Sequence, residues 1–151
     1  IIMVKVKINS PKIWTPPPKS WSQALRAGNL LFTAGQVALT AKGNMTTGEG
    51  LVGKGDALAQ ARQSFKNIKT LVEKAGGVME NIVKLTIYIT DIRDADRVRK
   101  ARTEFFTGDF PTATLVCVTA LASPLFLVEI EAIAVLPDSA DSSRQAARVK
   151  R

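Results

Sequence analysis

Apolar residues in this chain recur with two different periods, and the changes of period divide it into elements. Leu58, Ala61, Phe65, Ile68, Val72 and Ala75 fall at alternating steps of three and four, which stacks them on one face of a helix. Asp56 stands where a side chain can cap the first turn, and Gly76-Gly77 where the helix can end. From Ile82 to Thr90 the period drops to two and β-branched residues dominate. That segment is predicted to be a strand with Val83, Leu85, Ile87 and Ile89 inward. Asp91 to Phe106 returns to helical spacing through Val98, Ala101 and Phe105, with Asp91 or Asp94 as cap and a stop by Gly108.

Before the first helix, Trp21 to Val37 reads as a hairpin with Gly28-Asn29 at the turn. Gly35 interrupts its second strand, which marks either a bulge or a place where something approaches the backbone closely. Residues 40–55 are read as loop; their glycines are spaced too irregularly to cradle a phosphate. Two more strands are predicted, Thr112 to Ala120 and Phe126 to Leu136, joined through Ser123-Pro124 and compatible with antiparallel pairing. Residues 1–19, with the Pro16-Pro17-Pro18 run, are expected to be an extended arm outside the core, residues 20–137 the domain, and residues 138–151 a mobile basic tail.

The order hairpin, helix, strand, helix, strand, strand fits an α+β fold: one mixed sheet with both helices packed on a single face. The other sheet face stays apolar. On the last strand Val128, Ile130, Ala132 and Ala134 alternate with Leu127, Glu129, Glu131 and Ile133, and two helices can cover only one side. A second apolar face on one domain of 151 residues predicts burial against copies of itself.

Composition narrows the chemistry. The chain has no histidine, which removes Ser-His and Cys-His nucleophile systems and the commonest transition-metal ligand. Catalysis must then use carboxylates, hydroxyls, Lys, Arg or backbone amides. The net charge of +8 is spread over helix faces and both termini and forms no aromatic-studded patch, so nucleic acid is not the expected partner. No apolar run approaches the roughly 20 residues of a membrane span, and Ile1-Ile2-Met3-Val4 is too short for a secretory signal. The lone Cys117, in an alternating apolar run, is expected to be a buried, inert thiol in a reducing cytoplasm.

Glu129 and Glu131 share one strand face with apolar neighbours, where an ionised carboxylate is disfavoured unless hydrogen-bonded. Such a place raises a carboxylate pKa and suits general acid/base work. Pairing with a cation from a neighbouring subunit is the alternative, and the spacing does not decide between them.

The segments WSQALRAGNLLFTAGQ, AQARQSFKNIKTLVEKAGG, IVKLTIYITD, FPTATLVCVTAL and VEIEAIAV occur in an order, and on predicted elements, that resemble the Rid (YjgF, endoribonuclease L-PSP-like) family over about residues 20–136. The resemblance implies a chorismate-mutase-like fold and a homotrimer with a central barrel and three ligand clefts between subunits. It also implies cofactor-independent hydrolysis of reactive enamines and imines, with a small-molecule metabolite as partner and no metal.

By the same resemblance, Glu129 corresponds to the water-orienting glutamate, Gly35 to a glycine whose backbone faces the ligand, and Trp21 to a tyrosine near the hairpin start. The arginine expected two positions after the proline of the penultimate strand is Ala113 here. Leu115 stands for the family's cysteine, and Cys117 for a frequent glutamate. An arginine grips a carboxylate in a bidentate geometry that Lys or neutral side chains cannot copy, so small 2-imino acids are expected to be poor substrates unless Arg26, Lys19 or Arg102 substitutes. Two functions follow as expectations: a deaminase for a larger, less anionic imine or enamine, or a non-catalytic small-molecule-binding trimer. A ribonuclease activity ranks below both, since no in-line cleavage constellation is visible.

Overall fold

The computed structural model describes residues 4–137; the predicted tail, 138–151, lies outside them. In chain order the elements are β1 (Lys5–Ile8), β2 (Ala24–Ala27), β3 (Leu30–Thr33), α1 (Ala57–Lys74), β4 (Ile82–Ile89), α2 (Ala95–Thr103), β5 (Thr112–Cys117) and β6 (Val128–Val135). Single 3-10 turns precede β4 and α2.

Helix α1 forms where its spacing predicts. The Asp56 carboxylate accepts from Leu58 N and Ala59 N at 3.0 and 3.1 Å, a cap worth about 1 kcal/mol. At the other end Gly76 takes φ +89°, and Gly77 N reaches back to Val72 O at 2.9 Å. Its buried face, with Ala61, Phe65, Ile68, Leu71 and Val72, joins Ala95, Val98 and Ala101 of α2 in one core. That core rests on Leu85, Ile87 and Ile89 of β4 and Val128, Ile130, Ala132 and Ala134 of β6. The fold is α+β, a mixed six-stranded sheet with both helices on one face.

Sheet order is β1-β2-β3-β6-β4-β5. The hairpin β2–β3 turns at Gly28, φ +62°. Contrary to the antiparallel pairing expected for the last two strands, β5 and β6 do not pair. Strand β6 lies between β3 and β4, antiparallel to both, and β5 runs parallel to β4 on its other side. The α2 crossover makes this parallel pairing possible, since it returns the chain to the edge where β4 began.

Three local expectations are corrected. Val83 is exposed, because a bulge between Ile82 and Lys84 turns Ile82 inward in its place. Asp91 caps the 3-10 turn through Arg93 N, whereas Asp94 makes no side-chain cap to α2. Cys117 is exposed: β5 pairs on one side only, and nothing else among the described residues covers its thiol.

The lead-in also differs from a free arm. Residues 5–8 pair with β2 as an edge strand, Ile13 is 2 % exposed, and Ile13 bridges to Thr40. On the open sheet face Leu30, Phe32, Val116 and Val135 remain exposed, as the alternating pattern predicts.

Candidate functional site

Past β3 the register slips. Phe32 pairs with Ile133 and Gln36 with Ile130, so four steps along one strand match three along the other. The extra residue is a bulge, and the Thr33 hydroxyl fills the gap by accepting from Ala132 N at 2.9 Å. Backbone bonds Gln36 N to Ile130 O (2.7 Å) and Ile130 N to Gln36 O (3.1 Å) then fix Gly35 beside Glu129. A Cβ on Gly35 would lie 1.9 Å from Glu129 Oε1. Both sequence readings of Gly35, bulge and close approach, therefore hold, and what approaches is the candidate catalytic carboxylate.

Glu129 opens onto a cavity of about 440 Å3 whose walls include Trp14, Trp21, Gly35, Val37, Leu39 and Met45. No Lys or Arg is among its lining residues. Burial, and secondarily the charge of Glu131, pushes the Glu129 carboxyl above the usual carboxylate range. Among the described residues no donor hydrogen-bonds it. Glu131, two residues on, instead accepts from the Tyr88 hydroxyl at 3.3 Å, and Thr86 lies opposite it, so this face is more polar than the sequence suggests.

Buried amides brace the cavity and the segments around it, and sequence pattern does not single them out. Asn67 of α1 donates to Val37 O and Leu39 O at 3.0 and 2.9 Å, holding the loop after the bulge. Gln23 donates to Ser10 O, Trp14 O and Thr15 Oγ1 and accepts from Ser10 N, tying the lead-in to the hairpin. Gln60 bonds Gly53 O, Leu125 O and Leu127 N. On α1, Gln60 and Asn67 sit at helical spacing on the buried face, where a polar side chain needs partners, and both find them in loops, whereas Ser64 Oγ between them has none among the described residues.

Trp21, Gly35 and Glu129 line one cavity. Ala113, Leu115 and Cys117 do not: they lie along β5, where Leu115 packs beside Ile87 on the core and the other two are exposed. Of the cations weighed as substitutes, Arg26 bonds Gly28 O and Ala75 O, and Arg102 stacks 5.8 Å from the Phe110 ring centroid with its Nε buried and unpaired. Neither these two nor Lys19 lines the cavity. Among the described residues no cluster of His, Cys, Asp and Glu could hold a metal ion, and no helix is long and apolar enough to cross a membrane.

Comparison with known proteins places the chain in a family. The family model described as Endoribonuclease L-PSP matches residues 14–136. The 2-iminobutanoate/2-iminopropanoate deaminase of Escherichia coli K12 is 42 % identical over 83 residues, 53 % of this chain and 64 % of that one. A RutC family protein of Pyrococcus horikoshii is 39 % identical over 81 residues, 54 % of this chain and 64 % of that one. These alignments span less than two thirds of the relatives' length. Among solved structures, the Rid-family protein YyfA of Yersinia pestis superposes with a TM-score of 0.78 at 34 % identity, over 88 % of this chain and all of that one. The YjgF gene product of E. coli gives 0.74 at 34 % identity, over 86 % and 98 %. With the family model spanning nearly all the described residues and a Rid-family structure superposing on most of the chain, this chain belongs to the Rid/YjgF family.

Proposed function

We propose that this protein hydrolyses an imine, or the enamine in equilibrium with it, to a carbonyl compound and ammonia, with Glu129 as the acid/base. The observation that carries the proposal is a carboxylate in an apolar cavity, without a hydrogen-bond donor among the described residues, its pKa raised mainly by burial. The deaminases to which the chain is similar act, by their names, on 2-iminobutanoate and 2-iminopropanoate.

The Glu129 carboxylate takes a proton from water as the water oxygen bonds to the imine carbon. The protonated Glu129 then passes that proton to the nitrogen of the carbinolamine. The C–N bond breaks with its electrons going to nitrogen as the carbinolamine hydroxyl gives its proton to the Glu129 carboxylate, which passes it to the departing nitrogen, so that carbonyl and ammonia leave and the carboxylate is restored. A raised pKa suits a group that must both accept and return a proton near neutral pH.

Assembly completes this reading. Leu30, Phe32, Val116 and Val135 leave an apolar face that a homotrimer would bury around a central barrel, with β5 of one copy bordering the cleft of the next. Ala113 would then stand where an arginine grips a carboxylate. Losing such a bond costs on the order of 2–5 kcal/mol, so small 2-imino acids are poor substrates. The absence of a cation from the cavity also favours a second reading, a trimer that binds a small metabolite without turning it over. A ribonuclease role, suggested by the family model's description, has less support because the chain holds no histidine for proton transfer.

Ammonia release from a panel of imines, compared between wild type and Glu129→Gln, tests the proposal. Release on at least one imine that is lost in Glu129→Gln is expected; binding without release by wild type on any imine establishes the second reading instead. Sedimentation as a monomer would remove the interface part of the model.

A further inference from the structure

The cavity differs from a carboxylate-binding cleft in what lines it, and the difference specifies a ligand. This rests on reading the cavity as the reaction site. Its one charged lining residue is Glu129, which is negative. Its outer wall is a pair of indoles: Trp14 and Trp21 have ring centroids 5.9 Å apart at an interplanar angle of 40°. The composition contains two tryptophans in all, so both stand at this one site.

The Trp14 indole and the backbone that carries Trp21 are held in place. Trp14 packs on a small second core of Val37, Leu39 and Phe126, and its carbonyl accepts from Gln23 Nε2 at 2.9 Å. Its neighbour Ile13 is buried and bridged to Thr40. Between the two tryptophans runs Pro16-Pro17-Pro18, whose fixed φ angles stiffen the link. The turn closing that link puts Lys19 at φ +63°, a conformation a lysine seldom adopts, with Ser20 N bonded to Pro17 O at 3.2 Å. A strained turn after a stiff link fixes where Trp21 starts. The lead-in is thus a cleft wall.

We infer that the cleft selects a carboxylate-free ligand that pairs a flat or bulky apolar group with a positively charged nitrogen, as in the iminium form of an aryl-substituted imine. Indole faces attract cations and stack on aromatic rings, and both effects grow when water is displaced. A carboxylate without a donor among the described residues, at the inner end, gives the charged nitrogen its partner. An anionic ligand meets repulsion from Glu129 and no compensating cation among the lining residues. The volume of about 440 Å3 admits a ligand considerably larger than a three-carbon imino acid.

Because both tryptophans line the cavity, intrinsic fluorescence reports its occupancy directly. Titrating the full chain with benzylamine, benzoate and isobutylamine at neutral pH separates the contributions. Benzylamine is expected to shift the emission saturably and to bind about tenfold or more tighter than benzoate and several-fold tighter than isobutylamine. Trp14→Leu, which leaves Trp21 as reporter, should weaken benzylamine about tenfold while isobutylamine changes much less. Glu129→Gln should weaken benzylamine without affecting benzyl alcohol.

Benzoate binding as tightly as benzylamine would overturn the inference, because a neighbouring copy must then supply a cation. Equal affinity for benzylamine and isobutylamine would overturn it too, since the indoles would be idle. These are binding measurements and need no turnover. The predicted ligand order with no imine hydrolysed would uphold the ligand class and sink the catalytic proposal alone.

Discussion

Gly35 and Glu129 occupy one space: the position a Gly35 Cβ would take is 1.9 Å from Glu129 Oε1 and 2.8 Å from its Cδ. All three nearest atoms belong to the Glu129 side chain, so the clash of Gly35→Ala is relieved by swinging that side chain and leaves the backbone in place. No left-handed backbone is involved either, because Gly35 is not among the glycines with positive φ. The variant should therefore fold with a stability change of about 1 kcal/mol or less, read by urea denaturation. Imine hydrolysis should fall about 100-fold, since a displacement of the reacting group by about 1 Å is enough for that. A fall in stability without a fall in activity would contradict the contact.

The pKa of Glu129 ties stability to pH with a definite sign. Folding raises its pKa, so between the ordinary carboxylate value and the raised one the native state binds more protons than the unfolded state. Stability from this group is accordingly present at low pH and lost as pH rises through the folded pKa. Glu129→Gln abolishes that loss. Its Tm should exceed that of wild type at neutral pH, and the gap should close as pH drops below the ordinary carboxylate range, measured by thermal melts across pH. Wild-type activity, which needs the carboxylate to accept a proton, should rise over the same window in which stability falls.

Asn67 reaches from α1 to two carbonyls of the loop that follows the bulge. Asn67→Leu keeps the volume but leaves Leu39 O without its partner, while Val37 O keeps the Leu39 N–H at 2.8 Å. An unpaired buried acceptor costs about 1–3 kcal/mol, and a loss of that size is expected in denaturant unfolding. Benzylamine affinity should fall as well, because Val37 and Leu39 line the cavity. Unchanged stability would mean that water replaces the amide without cost.

Local pattern carried much of this fold. The three-four spacing of α1, its Asp56 cap and its Gly76-Gly77 end, and the period of two in β4 each depend on neighbours close in sequence, and each was legible. The order of strands was not. Insertion of β6 between β3 and β4 is decided by which apolar faces meet across tens of residues, and the residues in β5 and β6 alternate equally well in either arrangement. Val83 was misplaced for a similar reason, since a bulge inverts the alternation without leaving a mark in composition.

The site divides in the same way. Trp21, Gly35 and Glu129 were legible through the family resemblance, and their convergence follows from the hairpin and β6 pairing. Trp14 was not, because the Pro-rich segment carrying it has no periodicity, and its position depends on the buried Gln23 amide and the Ile13–Thr40 bridge. Polar residues on the buried face of α1 were the overlooked clue, since Asn67 there means a loop brought into contact.

If Glu129 hydrolyses imines in a cleft with no grip on a carboxylate, an aryl imine and an imino acid must react at different rates, and the order must change with the residue at position 113. Ammonia release would be followed from acetophenone imine and from 2-iminopropanoate generated in situ, with wild type, Glu129→Gln and Ala113→Arg. Wild type should accelerate the aryl imine more than the imino acid, Glu129→Gln should lose both accelerations, and Ala113→Arg should raise 2-iminopropanoate hydrolysis at least tenfold. Strong wild-type acceleration of 2-iminopropanoate that is unchanged in Ala113→Arg would rule out a cleft without a carboxylate grip, and full activity in Glu129→Gln would rule out Glu129 as the acid/base.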